Sequence, residues 1–223
     1  MDPHHRLWNA HQHLLQEALS DPMSSPMWRS LFLDQHGQMH SSKVSNNVAW
    51  SFEDEVLTEL NDANLRAVPL KAGHSIAWIL FHLARCEDVT MNILVGGFDQ
   101  VFENQGWKGR LHTSIEHTGN ELDGEEIKTF SNKIDLDALK AYRCAVGIST
   151  RQVVGQLVPE ELGKKVDPAR ILKVRQSGAV LPAADGIVDY WSKRTIAGLL
   201  LMPPTRHCFT HLNEGLRIRK LFK

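Results

Sequence analysis

His74-Ser75-Ile76-Ala77-Trp78-Ile79-Leu80-Phe81-His82-Leu83-Ala84-Arg85-Cys86-Glu87-Asp88 is the most apolar stretch of this 223-residue chain. It lacks proline and glycine and stays largely apolar to Leu94, which predicts a buried helix over 74–95 that stops at Gly96-Gly97. His82 lies at its centre. Trp78 is one turn before it, and Arg85 and Cys86 are about one turn after, so all share one face. Glu87 and Asp88 follow. Polar groups inside an apolar helix are costly to bury unless they are used.

Working outward, the spacing of apolar residues predicts further helices. One spans 5–19, with Leu7, Trp8, His11, Leu14, Leu15 and Leu19 on a stripe, and Ser20-Asp21-Pro22 ends it. A second runs from Ser25 to about His40, capped by Ser24 or Ser25 with Pro26 at its first position. Ser41 to Val48 reads as a loop. Ser51-Phe52-Glu53-Asp54 opens a helix that stops near Pro69. The segment 98–135 is polar loop with a short helix near 124–132. Asp135 or Asp137 caps a helix over 137–157, and Pro159-Glu160-Glu161-Leu162 reads as a single turn. Residues 163–185 show no clean period and read as irregular. A helix near 187–201 follows, then Pro203-Pro204 and a last helix to about Leu221. No stretch reads as a strand. The expected fold is therefore all-α, a helical bundle of four main helices with satellites: residues 1–22 form an N-terminal extension and 23–223 the bundle domain.

Composition narrows the function. A net charge of −1 gives no electrostatic reason to bind nucleic acid or an anionic membrane. No apolar run approaches the ~20 residues that span a bilayer, and the start lacks the layout of a secretory signal. Three cysteines without CxxC spacing suit a reducing compartment, so the expected location is cytoplasmic.

The second informative stretch is Thr205-Arg206-His207-Cys208-Phe209-Thr210-His211-Leu212-Asn213-Glu214. On a helix His207 and His211 stand one above the other and can share one metal ion, but a third protein ligand is needed. His82 is the candidate. Three neutral imidazoles leave positions open for water or a substrate thiolate, the catalytic rather than the closed structural pattern. His36 and His40 repeat the spacing of four, so His40 is either a further ligand, a supporting base or simply a packed histidine. Glu214, three after His211, is either a further ligand or a salt-bridged residue. Arg85 and Arg206 flank two of the ligands and can either bind an anionic substrate group or pair with Glu87 and Asp88. Asn213 and Tyr142 are candidate polar lining. Cys86 and Cys208 read by default as small buried hydrophobes.

Trp78, His82 and the acidic Glu87 or Asp88, together with His207-x3-His211, resemble the DinB-like family of metal-dependent enzymes. The resemblance covers roughly residues 25–221 and implies a four-helix bundle of up-down-down-up topology with a divalent ion on His82, His207 and His211. Residues 1–22 and the insertions 98–135 and 160–186 lie outside it. It also implies thiol-linked chemistry for some members, by transfer of a low-molecular-weight thiol or glutathione-independent isomerisation. The expectation is a metal-dependent transferase or hydrolase acting on a small molecule, with zinc or nickel activating thiol or water. Trp78, Arg85, Glu87, Asp88, Arg206 and Asn213 are expected around the substrate, and no residue stands out as general base. The competing expectation is a non-catalytic stress-response or binding bundle stapled by a structural ion. A homodimer would cover the apolar face of 5–19, unless that helix folds back on its own bundle.

Overall fold

The computed structural model describes residues 2–45, 49–70 and 72–222. Among them the chain is all-helical, with no strand and one isolated bridge between Lys165 and Thr195. Residues 46–48 of the expected loop lie outside the described residues.

Helix α1 runs Pro3–Ser20, α2 Trp28–Met39, α3 Phe52–Leu57, α4 Asp62–Arg66 and α5 Ile76–Glu87. A π-helical segment, Asp88–Gly96, extends α5. Two single turns follow, α6 Val101–Asn104 and α7 Trp107–Arg110, then α8 Gly124–Lys133, α9 Leu136–Gln156, α10 Pro159–Leu162, α11 Pro168–Gln176, α12 Asp185–Ser192 and α13 Ile196–Leu200. A second π segment, Met202–His207, leads directly into α14, Cys208–Arg219.

Local chemistry sets the main boundaries. Ser75 Oγ accepts from Trp78 N at 2.9 Å and caps α5, while Ser51 Oγ accepts from Asp54 N at 3.0 Å and caps α3. Of the two candidate caps for α9 it is Asp135 that accepts, from Ala138 N at 2.8 Å. Gly97 ends the π segment at φ +74°, where a Cβ would come within 2.8 Å of the Arg170 guanidinium. That guanidinium donates to the carbonyls of Leu94 and Val95 at 3.1 and 2.6 Å, completing the helix end.

Four expected elements differ. The helix after Ser51 breaks at Thr58–Asn61, because Asn61 starts a new capping box with Asn64. Helix α2 begins at Trp28, without a serine cap. The stretch 187–201 divides around Thr195, whose hydroxyl caps α13 by accepting from Gly198 N at 3.1 Å. The stretch 163–185 is not irregular throughout: Asp167 caps α11, with Pro168 at its first position.

Helices α2, α9, α5 and α14 form a closed ring of neighbours: α2 packs on α9, α9 on α5, α5 on α14 and α14 on α2. One hydrophobic core joins α5, α8, α9 and α14 through residues such as Ile76, Phe81, Tyr142 and Leu212. A second surrounds the first π segment and joins α11, α12 and α13. Helix α1 folds back onto α2: Trp8 Nε1 donates to Gln35 O at 3.3 Å, and Gln35 Nε2 donates to Trp8 O at 2.8 Å. Trp8 and Leu15 are buried, so this chain itself covers much of the apolar face of α1. No helix of the described residues is long and apolar enough to cross a membrane.

Candidate metal centre

Helix α5 carries Trp78 and His82 on one edge, and His74, just before its Ser75 cap, continues the spacing of four. Their rings stack in a column, His74 on Trp78 at 3.9 Å and Trp78 on His82 at 4.7 Å between centroids, nearly parallel. At the end of this column stand the two later histidines. The second π segment ends at His207 and α14 carries His211, and their rings lie 5.0 Å each from His82 and 4.7 Å from one another. Wider π-helical turns recur at functional sites, and here one of them delivers a histidine of the cluster.

The hydrogen-bond partners determine which ring nitrogens are free. His82 Nδ1 lies 2.8 Å from Thr118 O, so it donates its proton there and leaves the Nε2 lone pair facing His207. His82 Nε2 and His207 Nε2 are 3.1 Å apart. Two imidazoles bound to one tetrahedral ion at 2.0–2.1 Å would stand about 3.3 Å apart, so the pair is already close to ligand spacing. His211 Nδ1 donates to Glu214 Oε2 at 2.9 Å, and His74 Nδ1 donates to the other oxygen at 2.6 Å. Glu214 therefore orients His211 with its Nε2 free, the carboxylate–histidine arrangement that supports metal ligands.

Electrostatics favour neutral rings. Burial, reinforced by the neighbouring His211, lowers the His82 pKa to about 4. Burial and the adjacent His82 hold His207 well below its ordinary value. Burial opposes ionisation of Glu214, but hydrogen bonds from His211 and His74 outweigh it and bring its pKa to about 2. His82 and His207 thus present unprotonated nitrogens, and Glu214 supplies one supporting carboxylate. Cys86 joins it: Sγ lies 3.8 Å from the His82 ring nitrogens, and His82, Cys86 and His207 offer donor atoms all within 4.8 Å of one another. Burial, with Cys208 nearby, pushes the Cys86 thiol up strongly, so without a cation it stays protonated. These donors fit a soft or borderline divalent ion.

The rings face a cavity of about 410 Å³. Trp78, Tyr190, Trp191, Ile187 and Met202 make its wall largely apolar and aromatic, with Asn120 adding an amide. Tyr190 and Trp191 come from α12, outside the stretch the two motifs mark. The polar insertion also takes part: Thr118 N donates to Ala179 O at 2.9 Å, which fixes the carbonyl that binds His82.

Of the residues expected around the substrate, only Trp78 lines this cavity. Glu87 is five residues beyond His82, about 140° round the helix, and points away. It accepts from His36 Nε2 at 2.8 Å, His40 Nε2 at 2.9 Å and Thr150 Oγ1 at 2.7 Å. His40 is therefore a partner of Glu87 in a separate buried cluster rather than a member of the His82 group. Asp88 and Arg85 belong to a buried network with Tyr142: Asp88 accepts from the Tyr142 hydroxyl at 2.7 Å and lies 3.5 Å from Arg85. Arg206 donates to Asn9 at 2.7 Å and covers the Trp8 ring, so it anchors α1. Asn213 donates to Phe209 O at 2.8 Å, within its own helix. His74 and Thr118 went unnoticed in the sequence. His74 was detectable, since it precedes Trp78 by the same four residues that separate Trp78 from His82. Thr118 and the α12 aromatics sit in segments without a motif, so only tertiary structure identifies them. Neither a family model nor a curated relative matches the chain.

Proposed function

We propose that the protein is a DinB-like metal-dependent enzyme acting on a small molecule, with a divalent ion, zinc or nickel, held by His82, His207 and His211. The closed ring of α2, α9, α5 and α14 supports a four-helix bundle of that kind. One observation carries the functional reading: three imidazoles converge at the wall of a cavity, and the carbonyl of Thr118 leaves His82 Nε2 free to face His207 Nε2 at 3.1 Å. When bound, the ion would acidify a thiol or water and so supply a nucleophile for thiol transfer or hydrolysis. The chain's own residues do the rest. Glu214 and Thr118 hold two of the rings in the required tautomer. Trp78 backs His82, and the aromatic wall excludes water and accepts the apolar part of a substrate.

Cys86 favours a second reading, because a thiolate beside the histidines would close the coordination sphere and make the ion a structural staple. Metal analysis and cobalt(II) spectroscopy separate the two. The enzyme reading predicts that His82→Ala and His207→Ala each lose one equivalent of metal relative to wild type, and that a cobalt spectrum shifts when a small thiol is added. An unchanged metal content in both variants defeats the assignment. A thiolate charge-transfer band lost in Cys86→Ser, with no response to added thiol, selects the staple.

A further inference from the structure

The four helices of the ring also converge on a second, separate group. Helix α2 brings His36 and, at its C-terminal cap, His40; α5 brings Glu87, α9 brings Thr150 and α14 brings Cys208. His36, His40 and Glu87 are completely buried. Each histidine places Nε2 on a different carboxylate oxygen, at 2.8 and 2.9 Å, and the three donor groups lie within 4.8 Å of one another. Ligands about 2.0–2.1 Å from an ion and at right angles stand about 2.9 Å apart, so these spacings match the edges of a coordination polyhedron.

The charges around the group leave a gap. Glu53 and Arg143 neutralise each other, with Arg143 Nε 2.5 Å from Glu53, and Asp88 is paired with Arg85. Glu87 is the third buried carboxylate here, beside two permanent cations. Hydrogen bonds from His36, His40 and Thr150 satisfy its oxygens but add no permanent positive charge, and a buried carboxylate without a cation beside it is unfavourable, so such groups pair with a cation or coordinate a metal. The Nδ1 atoms of His36 and His40 have no hydrogen-bond partner among the described residues, so nothing on that side fixes the tautomer, and with its proton moved to Nδ1 each ring offers the Nε2 lone pair to an ion.

We propose that His36, His40 and Glu87 form a second divalent transition-metal site, a sealed structural centre that ties α2 to α5 inside the bundle. Two imidazoles and one carboxylate suit zinc, iron(II) or manganese(II). The Thr150 hydroxyl orients the carboxylate from outside the coordination sphere. The spacing of four on α2 stacks both rings on the face turned toward α5, and facing helices are where bundles build such sites. The centre is independent of the His82 cluster and shares no ligand with it.

The test is the metal content of the full chain purified from zinc-supplemented cells, by mass spectrometry, combined with melting curves. The expected result is two zinc ions per wild-type chain, one in His82→Ala/His207→Ala and one in His36→Gln/His40→Gln. The first double variant should still melt at a lower temperature once a strong chelator has stripped it. A single ion in wild-type protein that disappears in His82→Ala/His207→Ala overturns the second site and leaves the first intact. A single ion that survives that variant and is lost in His36→Gln/His40→Gln supports the second site and sinks the first. If His36→Gln/His40→Gln does not fold, the wild-type count and the chelator response of the other variant decide: one ion and no response refute the proposal.

Discussion

Removing Glu214 isolates the support of the proposed centre from its ligands. Glu214 does not itself line the cavity; it accepts from His211 Nδ1 at 2.9 Å and from His74 Nδ1 at 2.6 Å. Glu214→Ala takes away both acceptors. His211 can then rotate, or can carry its proton on Nε2 and lose the lone pair a cation needs. Loss of such an outer partner typically weakens metal binding about 10–100-fold, or about 1.4–2.7 kcal/mol. Glu214→Gln should be milder, at or below about tenfold, because its amide oxygen can still accept from His211. His74→Ala leaves the His211 contact in place and should change affinity less than Glu214→Ala. Competition for zinc against a chromophoric chelator measures the affinity, and circular dichroism confirms that each variant is folded. Wild-type affinity in Glu214→Ala would refute the role given to this carboxylate.

Three further outcomes follow from the packing. A Cβ at Gly147 would approach His40 Nδ1 at 2.8 Å and Val44 Cγ1 at 3.0 Å, so Gly147→Ala should lose about 1–3 kcal/mol to overpacking despite its better helix propensity; urea denaturation showing a gain in stability would contradict this. Arg143→Met strands the buried carboxylate of Glu53 and should cost about 3–5 kcal/mol, while Glu53→Leu/Arg143→Met should recover much of that loss, a pattern also read by urea denaturation. In chelator-treated protein, burial lowers His82 to about 4 and His40 to about 3, and holds His207 well down. The unfolded chain therefore binds more protons than the folded one below the ordinary histidine value of about 6.5, and stability is lost as pH falls from there toward those folded values. Melting temperature should drop steadily between about pH 6.5 and pH 5; a flat profile would contradict burial of these rings as neutral groups.

What the sequence revealed is what a helix encodes locally. The apolar run around His82 produced α5, and Ser51 and, of two candidates, Asp135 marked starts that the structure confirms with hydrogen bonds. Spacing of four paired His207 with His211 and His36 with His40. Direction around the helix was equally available and carried information that proximity in sequence did not: a 100° advance per residue puts Cys86 beside His82 and turns Glu87 to the opposite side. Arg85 and Asp88 could not be placed that way, because their partners Tyr142, Val101 and Phe102 lie in other segments. The same holds for Thr118, whose carbonyl accepts from His82 while its N–H donates to Ala179 O. Helix α11 went unread because its few apolar residues, Ile171 and Val174 among them, are spread between lysines and arginines on a short element.

The most direct check is anomalous scattering at the zinc edge from crystals of the full chain grown with zinc. The account predicts a peak within bonding distance of His82 Nε2 and His207 Nε2, with His211 turned toward it and Glu214 still holding that ring from behind. A map with no peak there, and with His82 and His207 hydrogen-bonded directly to one another, would contradict it.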